Sequence, residues 1–263
     1  MPRQPDLPRP LDHPRAPDLP RVPEFPRPRN DPGQYDDLAD QWWRPRGSFE
    51  MLHWIAEARA RLVPPAARDG SLLLDLACGG GVLAPHVAQL GHRHVGLDLS
   101  PTALPIAREH GVVPVRGDVL SLPFRDGLAD VVVAGEVLEH VADPVGLVRE
   151  AVRVLRPGGT LVLDTIADTW WGRFSSVTIA EHLPAGPPPR LHDPALFVDR
   201  AALVEGARQA GVVLHLTGLR PSALDYLAWL AGRRPSVRML ATRSTAGLFQ
   251  AHGRKAVVEG GHS

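Results

Sequence analysis

Glu136, Glu139 and His140 stand at i, i+3 and i+4, a spacing that on a helix gathers two carboxylates and an imidazole on one face. Such a set could hold a divalent ion with positions left open for a substrate. Mg²⁺ suits the oxygens, while the imidazole equally suits Zn²⁺ or Mn²⁺. The bland alternative is that the acidic residues only favour a helix N-terminus. His140 is also a candidate general base. His192, followed by Asp193, is a second, set against a helix-capping Asp beside a surface histidine.

Residues 72–84, LLLDLACGGGVLA, read as a buried strand running into a glycine turn that opens a helix. Gly79 and Gly81 let backbone approach a ligand that a Cβ would block, the usual cradle for an adenosine-type cofactor. With Ala84 they satisfy G-x-G-x-x-G/A, so a nicotinamide dinucleotide fits at this point. Asp98 follows about twenty residues on, where a carboxylate takes the ribose hydroxyls of NAD or S-adenosylmethionine alike. The discriminator is Asp118, after the next strand, placed to accept a hydrogen bond from an adenine amino group.

Positioning these residues requires alternating elements. The pattern predicts strands at 71–76, 93–98, 112–116, 129–134 and 159–165, with helices at 81–90, 101–110 and 143–155. That alternation implies an α/β fold: a doubly wound, mostly parallel, seven-stranded sheet whose last strand is antiparallel. Tyr35, Leu38, Trp42, Trp43, Phe49, Leu52 and Ile55 suggest N-terminal helices over the cofactor mouth. Trp42 and Trp43 could stack on an aromatic substrate or simply pack. Residues 167–200 break the rhythm and are expected to form a lid. Its stretch Trp170–Leu183 either covers an apolar pocket or touches a membrane surface. A helix at 199–210, a strand at 212–219, a helical insert at 222–241 and a strand at 244–251 complete the expected fold.

Around this domain, taken as 34–252, lie two tails. In residues 1–33 proline recurs nearly every third position, with Arg and Asp between. Such a segment is expected to be extended and disordered, either a solvated tail or a docking tail for a proline-binding partner. Residues 253–263 are expected to be loose. The 29 basic and 29 acidic residues cancel, so no global field points to nucleic acid or an anionic membrane. Cys78 is the one cysteine, which excludes an intrachain disulfide and suits a reducing cytoplasm. No apolar run is long enough to span a bilayer and no signal peptide opens the sequence. A soluble cytoplasmic protein is expected, with its oligomeric state open.

D-L-A-C-G-G-G, G-L-D-L-S, G-D-V-L-S-L-P-F, D-V-V-V-A-G-E-V-L-E-H-V and L-R-P-G-G-T-L resemble the successive motifs of class I S-adenosylmethionine-dependent methyltransferases. Outside that core, D-L-A-D-Q-W-W-R-P-R-G-S-F-E-M-L-H-W-I, E-H-L-P-A-G and L-H-D-P-A-L-F-V resemble the ubiquinone-biosynthesis O-methyltransferases. Here the loop carries extra prolines, and Leu191 stands where that family has Thr. Ala77 replaces the first glycine of the family's turn, a change that a negative φ would accommodate. The resemblance implies S-adenosylmethionine bound by Arg59, Asp75, Ala77, Gly79, Gly81, Asp98, Leu99, Asp118, Val119 and Gly135, with Arg59, or Arg61 close by, able to pair with the methionine carboxylate. It implies a metal at Glu136, Glu139 and His140, and O-methylation of a phenolic, catechol or quinol-like small molecule. N- or C-methylation, and a cofactor-binding protein without turnover, are the alternatives. No N/D-P-P-Y/F motif follows the fourth strand, which disfavours methylation of nucleic-acid bases.

Overall fold

A computed structural model describes residues 27–257. The chain enters through α1 (Gly33–Asp37) and α2 (Glu50–Ala60), then β1 (Leu72–Leu76), α3 (Ala84–Val87), β2 (Arg93–Asp98), α4 (Ala103–Glu109), β3 (Val113–Arg116) and β4 (Ala129–Gly135). There follow α5 (Pro144–Val154), β5 (Leu155–Ile166), α6 (Trp170–Arg173), α7 (Arg200–Gln209), β6 (His215–Pro221), α8 (Ala223–Leu230), β7 (Met239–Thr242) and β8 (Leu248–Arg254). The strands form one sheet in the order β3-β2-β1-β4-β5-β8-β6-β7. From β3 to β5 every pairing is parallel; β8 lies antiparallel between β5 and β6.

Period-two burial explains the sheet. Leu74, Leu76, Val132, Ala134, Leu161 and Leu163 point into one core, whereas Leu73, Val131, Val133 and Val162 point into the other. Alternate side chains thus feed opposite faces, and both faces are covered. One face takes α5 and α7, the other the N-terminal aromatics and α2. From α5 onward helix starts follow side-chain caps: Asp143 accepts from the Gly146 N–H at 2.7 Å, and Asp199 from those of Ala201 and Ala202.

The doubly wound sheet is present, with an eighth strand at its edge. The helical insert expected over 222–241 is a helix only to Leu230. Gly232 takes φ +69°, Pro235 cannot continue a helix, and Met239–Thr242 pairs antiparallel with β6.

Both tail boundaries also move. The first 26 residues of the proline-rich segment, and 258–263, lie outside the described residues. From Arg27 the chain is packed on the domain, Arg27 bonding Asp37 and Arg29 reaching Glu181. At the other end β8 runs to Arg254, and the Lys255 ammonium donates to the carbonyls of Val152 and Leu155, each at 2.7 Å. Among the described residues no helix is long and apolar enough to cross a membrane.

Candidate active site

Sheet order reverses between β1 and β4, and a crevice opens there at the carboxyl ends of the strands. It is a cavity of about 630 Å³, roofed by α1, α2 and the lid. Asp98 at the end of β2 forms one wall. Its two oxygens accept from the N–H groups of Gly79 and Ser100, both at 2.8 Å, so the carboxylate is held on the cavity. Burial raises its pKa, partly offset by those N–H groups. The next loop is tied to α1 by Asp36, which accepts from Ser100 and Thr102 at 2.5 and 2.6 Å.

Asp75, Ala77, Gly79, Leu99, Val119, Gly135 and Arg59 line the same cavity. Two of the expected residues do not. Gly81, at φ +80°, turns toward α4, where a Cβ would sit 3.0 Å from the Ala107 Cα; its small size serves helix packing. Asp118 is exposed, and its Oδ1 accepts from the Leu120 N–H at 2.8 Å, closing a turn at the rim. Ala77 takes φ +56°, not the negative value that alanine prefers. The turn is left-handed here with alanine at that position.

Arg59 is buried and committed. Its Nε and Nη2 donate to the two carboxylate oxygens of Asp164 at 2.5 and 2.9 Å. Burial would lower its pKa, but Asp164 outweighs that and raises it. Its guanidinium lies where a Cβ on Gly135 would sit, which accounts for that glycine. Both N–H groups of Nη1 and one of Nη2 are left for a ligand. The signal for Asp164 was a charged residue inside the apolar run Leu161–Ile166, where burial demands a partner.

The expected trio of Glu136, Glu139 and His140 does not share a face. Beyond Gly135 the chain makes no α-helix: Glu136 adopts φ +52° and Leu138–His140 is a single 3₁₀ turn. Glu136 faces Asp164 instead, and burial, then Glu139 and Asp164, push its carboxyl well above the usual range. His192 of the lid takes its place. Ligand atoms of Glu139, His140 and His192 all lie within 4.8 Å of one another. The two imidazoles stack with centroids 5.3 Å apart, while Asp193 caps the following turn by accepting from Ala195.

The electrostatics of this cluster are those of a dry site. Burial raises Glu139 to about 7, although Thr165 donates to its Oε2 at 2.7 Å. Burial lowers His140 to about 3, with His192 adding to the effect, and His192 to about 4, with Arg29 adding. Both rings are neutral at pH 7. Glu139 Oε1, Glu136 Oε1 and His192 Nδ1 are buried without a hydrogen-bond partner among the described residues, an arrangement that a cation would satisfy.

Aromatic residues close the roof. Trp42 is buried, stacks on Phe49 at 4.1 Å, and covers Gly79 and Gly80. Trp43 donates from Nε1 to the Gly80 carbonyl and stacks on His110. Both rings therefore pack, with Trp42 also facing the cavity. Asn30, which spacing gave no reason to single out, and Tyr35, expected only as helix packing over the mouth, both reach His140.

Residues 74–163 match the model of a methyltransferase domain family. The chain is 33% identical over 222 residues to a ubiquinone biosynthesis O-methyltransferase of Thiobacillus denitrificans, covering 81% of this chain and 96% of that relative. It is 31% identical over 231 residues to the one from Cupriavidus pinatubonensis, covering 83% and 93%. A SAM-dependent methyltransferase from Thermotoga maritima superposes with a TM-score of 0.59 at 18% identity over 84% of this chain and 97% of its own, a likeness of fold.

Proposed function

Because the chain belongs to the ubiquinone biosynthesis O-methyltransferase family of S-adenosylmethionine-dependent enzymes, we propose that it methylates a hydroxyl of a catechol- or quinol-like small molecule, with His140 accepting the hydroxyl proton. The observation that carries this reading is the place of the His140 imidazole, beside Glu139 and His192, at the cavity that Asp98 and Gly79 also line.

S-Adenosylmethionine supplies a methyl group on a sulfonium, so its leaving group is already built in. The chain's own work is alignment and proton removal. Asp98 would hold the ribose, Leu99 and Val119 would flank the base, and the turn at Ala77–Gly79 would take the remaining chain, all of them lining the cavity. Arg59 would contribute through Nη1 and the second N–H of Nη2, its Nε and the other Nη2 donor being bound to Asp164. A phenol is a weak nucleophile until deprotonated, and His140 lowers that barrier. The unpartnered atoms of Glu139 and His192 fit a divalent ion, which those two residues would hold beside His140 and which would acidify a bound hydroxyl. The buried Cys78 thiol, pushed well above its usual range by burial, is no nucleophile. It suits a reducing cytoplasm.

The test is methyl transfer to 4-propylcatechol, followed by mass spectrometry, with and without a chelator. O-Methylated product is expected, and His140→Gln should lower kcat by about 10²–10⁴. Full activity in that variant would remove His140 as the base. Turnover unchanged by exhaustive chelation would remove the metal.

A further inference from the structure

His140 is gripped by a residue far from it in sequence. The Asn30 side chain makes two contacts with it: Nδ2 donates to the His140 carbonyl at 3.0 Å, and Oδ1 lies 2.5 Å from the ring Nδ1. The carbonyl can only accept, so the amide NH₂ must face it and the amide oxygen must face the ring. An amide oxygen also only accepts. Nδ1 of His140 therefore carries the ring's proton, and Nε2 of the neutral ring is left with its lone pair. That nitrogen accepts from the Tyr35 hydroxyl at 3.3 Å, a contact that an incoming substrate hydroxyl would replace.

Asn30 is itself fixed. Its N–H donates to the Arg190 carbonyl at 3.2 Å, and Arg190 Nε returns a bond to the Arg27 carbonyl at 3.0 Å. The segment before α1 is thereby strapped to the lid that carries His192.

We infer that Asn30 is a positioning residue which holds His140 as its Nδ1–H tautomer and so keeps Nε2 free to accept a proton from the substrate hydroxyl. This rests on the reading of His140 as the proton acceptor. Without Asn30 the ring is free to carry its proton on Nε2, where it cannot act as a base.

Long-range ¹H–¹⁵N spectra of the full chain test this, the His140 signals being those lost in His140→Gln. The parent should show Nδ1–H. Asn30→Leu, similar in shape but without an acceptor, should move the proton to Nε2 and lower kcat for 4-propylcatechol about 10- to 100-fold, with KM for S-adenosylmethionine unchanged. Asn30→Asp, which still accepts, should retain the Nδ1–H pattern and more of kcat. An Nε2–H parent, an unchanged tautomer in Asn30→Leu, or a changed tautomer with unchanged kcat would each overturn the inference. Failure of the base reading is separate: it appears as full activity in His140→Gln, whatever the spectra of the Asn30 variants show.

Discussion

An alanine held at φ +56° costs about 1–2 kcal/mol relative to the right-handed region. Ala77→Gly removes that cost and gives back part of it through the freer unfolded chain. A net gain of about 1 kcal/mol is expected, a rise in Tm of about 2–4 °C, measured by calorimetry. Arg59 and Asp164 make the opposite case. Breaking this buried pair from one side strands a charge, so Asp164→Leu should cost about 3–5 kcal/mol in urea unfolding. Adding Arg59→Met to it should recover most of the loss, because the apolar pair strands nothing. If the double variant were no more stable than the single one, the pair would be more than a matched set of buried charges.

Elements depend on contacts made by residues distant in sequence. Lys255 donates to carbonyls at the C-terminal end of α5 and the start of β5, where an ammonium satisfies orphan acceptors and meets the negative end of the helix. Lys255→Met should lower stability by about 1–3 kcal/mol, read from the urea midpoint. The lid rests on two stacked imidazoles whose folded pKa values, about 3 for His140 and about 4 for His192, lie below the ordinary histidine value. Such groups add stability above the unfolded pKa near 6.5 and lose it as pH falls toward the folded values. Proteolysis within 183–190 should therefore accelerate as pH drops from 6.5 toward 4. Buried Glu139, raised to about 7, has the reverse sign, its contribution falling as pH rises from about 4.5 through 7. A cleavage rate flat below pH 6.5 would show that the imidazoles do not hold the lid.

At the scale of the whole molecule, period and punctuation made the parallel half of the sheet legible, since β1 to β5 are apolar runs bounded by turn residues. The edge was less so. Residues 222–241 have helical composition throughout, and the division into α8 and β7 follows from Gly232, Pro235 and the ladder offered by β6. The site was legible where one strand end carries one residue, as at Asp98 and Gly135. It failed where spacing was read as helical, because Glu136 sits in a left-handed turn and His192 arrives from the lid. Asn30 could be found only through the contacts of other residues, and Asp164 only as a charge inside an apolar run. If the cavity is the cofactor site, S-adenosylhomocysteine at a hundred times its Kd should stabilise the fold by about 2.7 kcal/mol, and Asp98→Ala should abolish that shift.

Cys78 has a practical consequence. The lone native thiol is 4% exposed, and burial keeps it protonated. A cysteine placed on the lid and another on the Arg27–Pro32 strap can thus carry a pair of spectroscopic labels without replacing Cys78, so that the distance between those two segments can be followed through turnover.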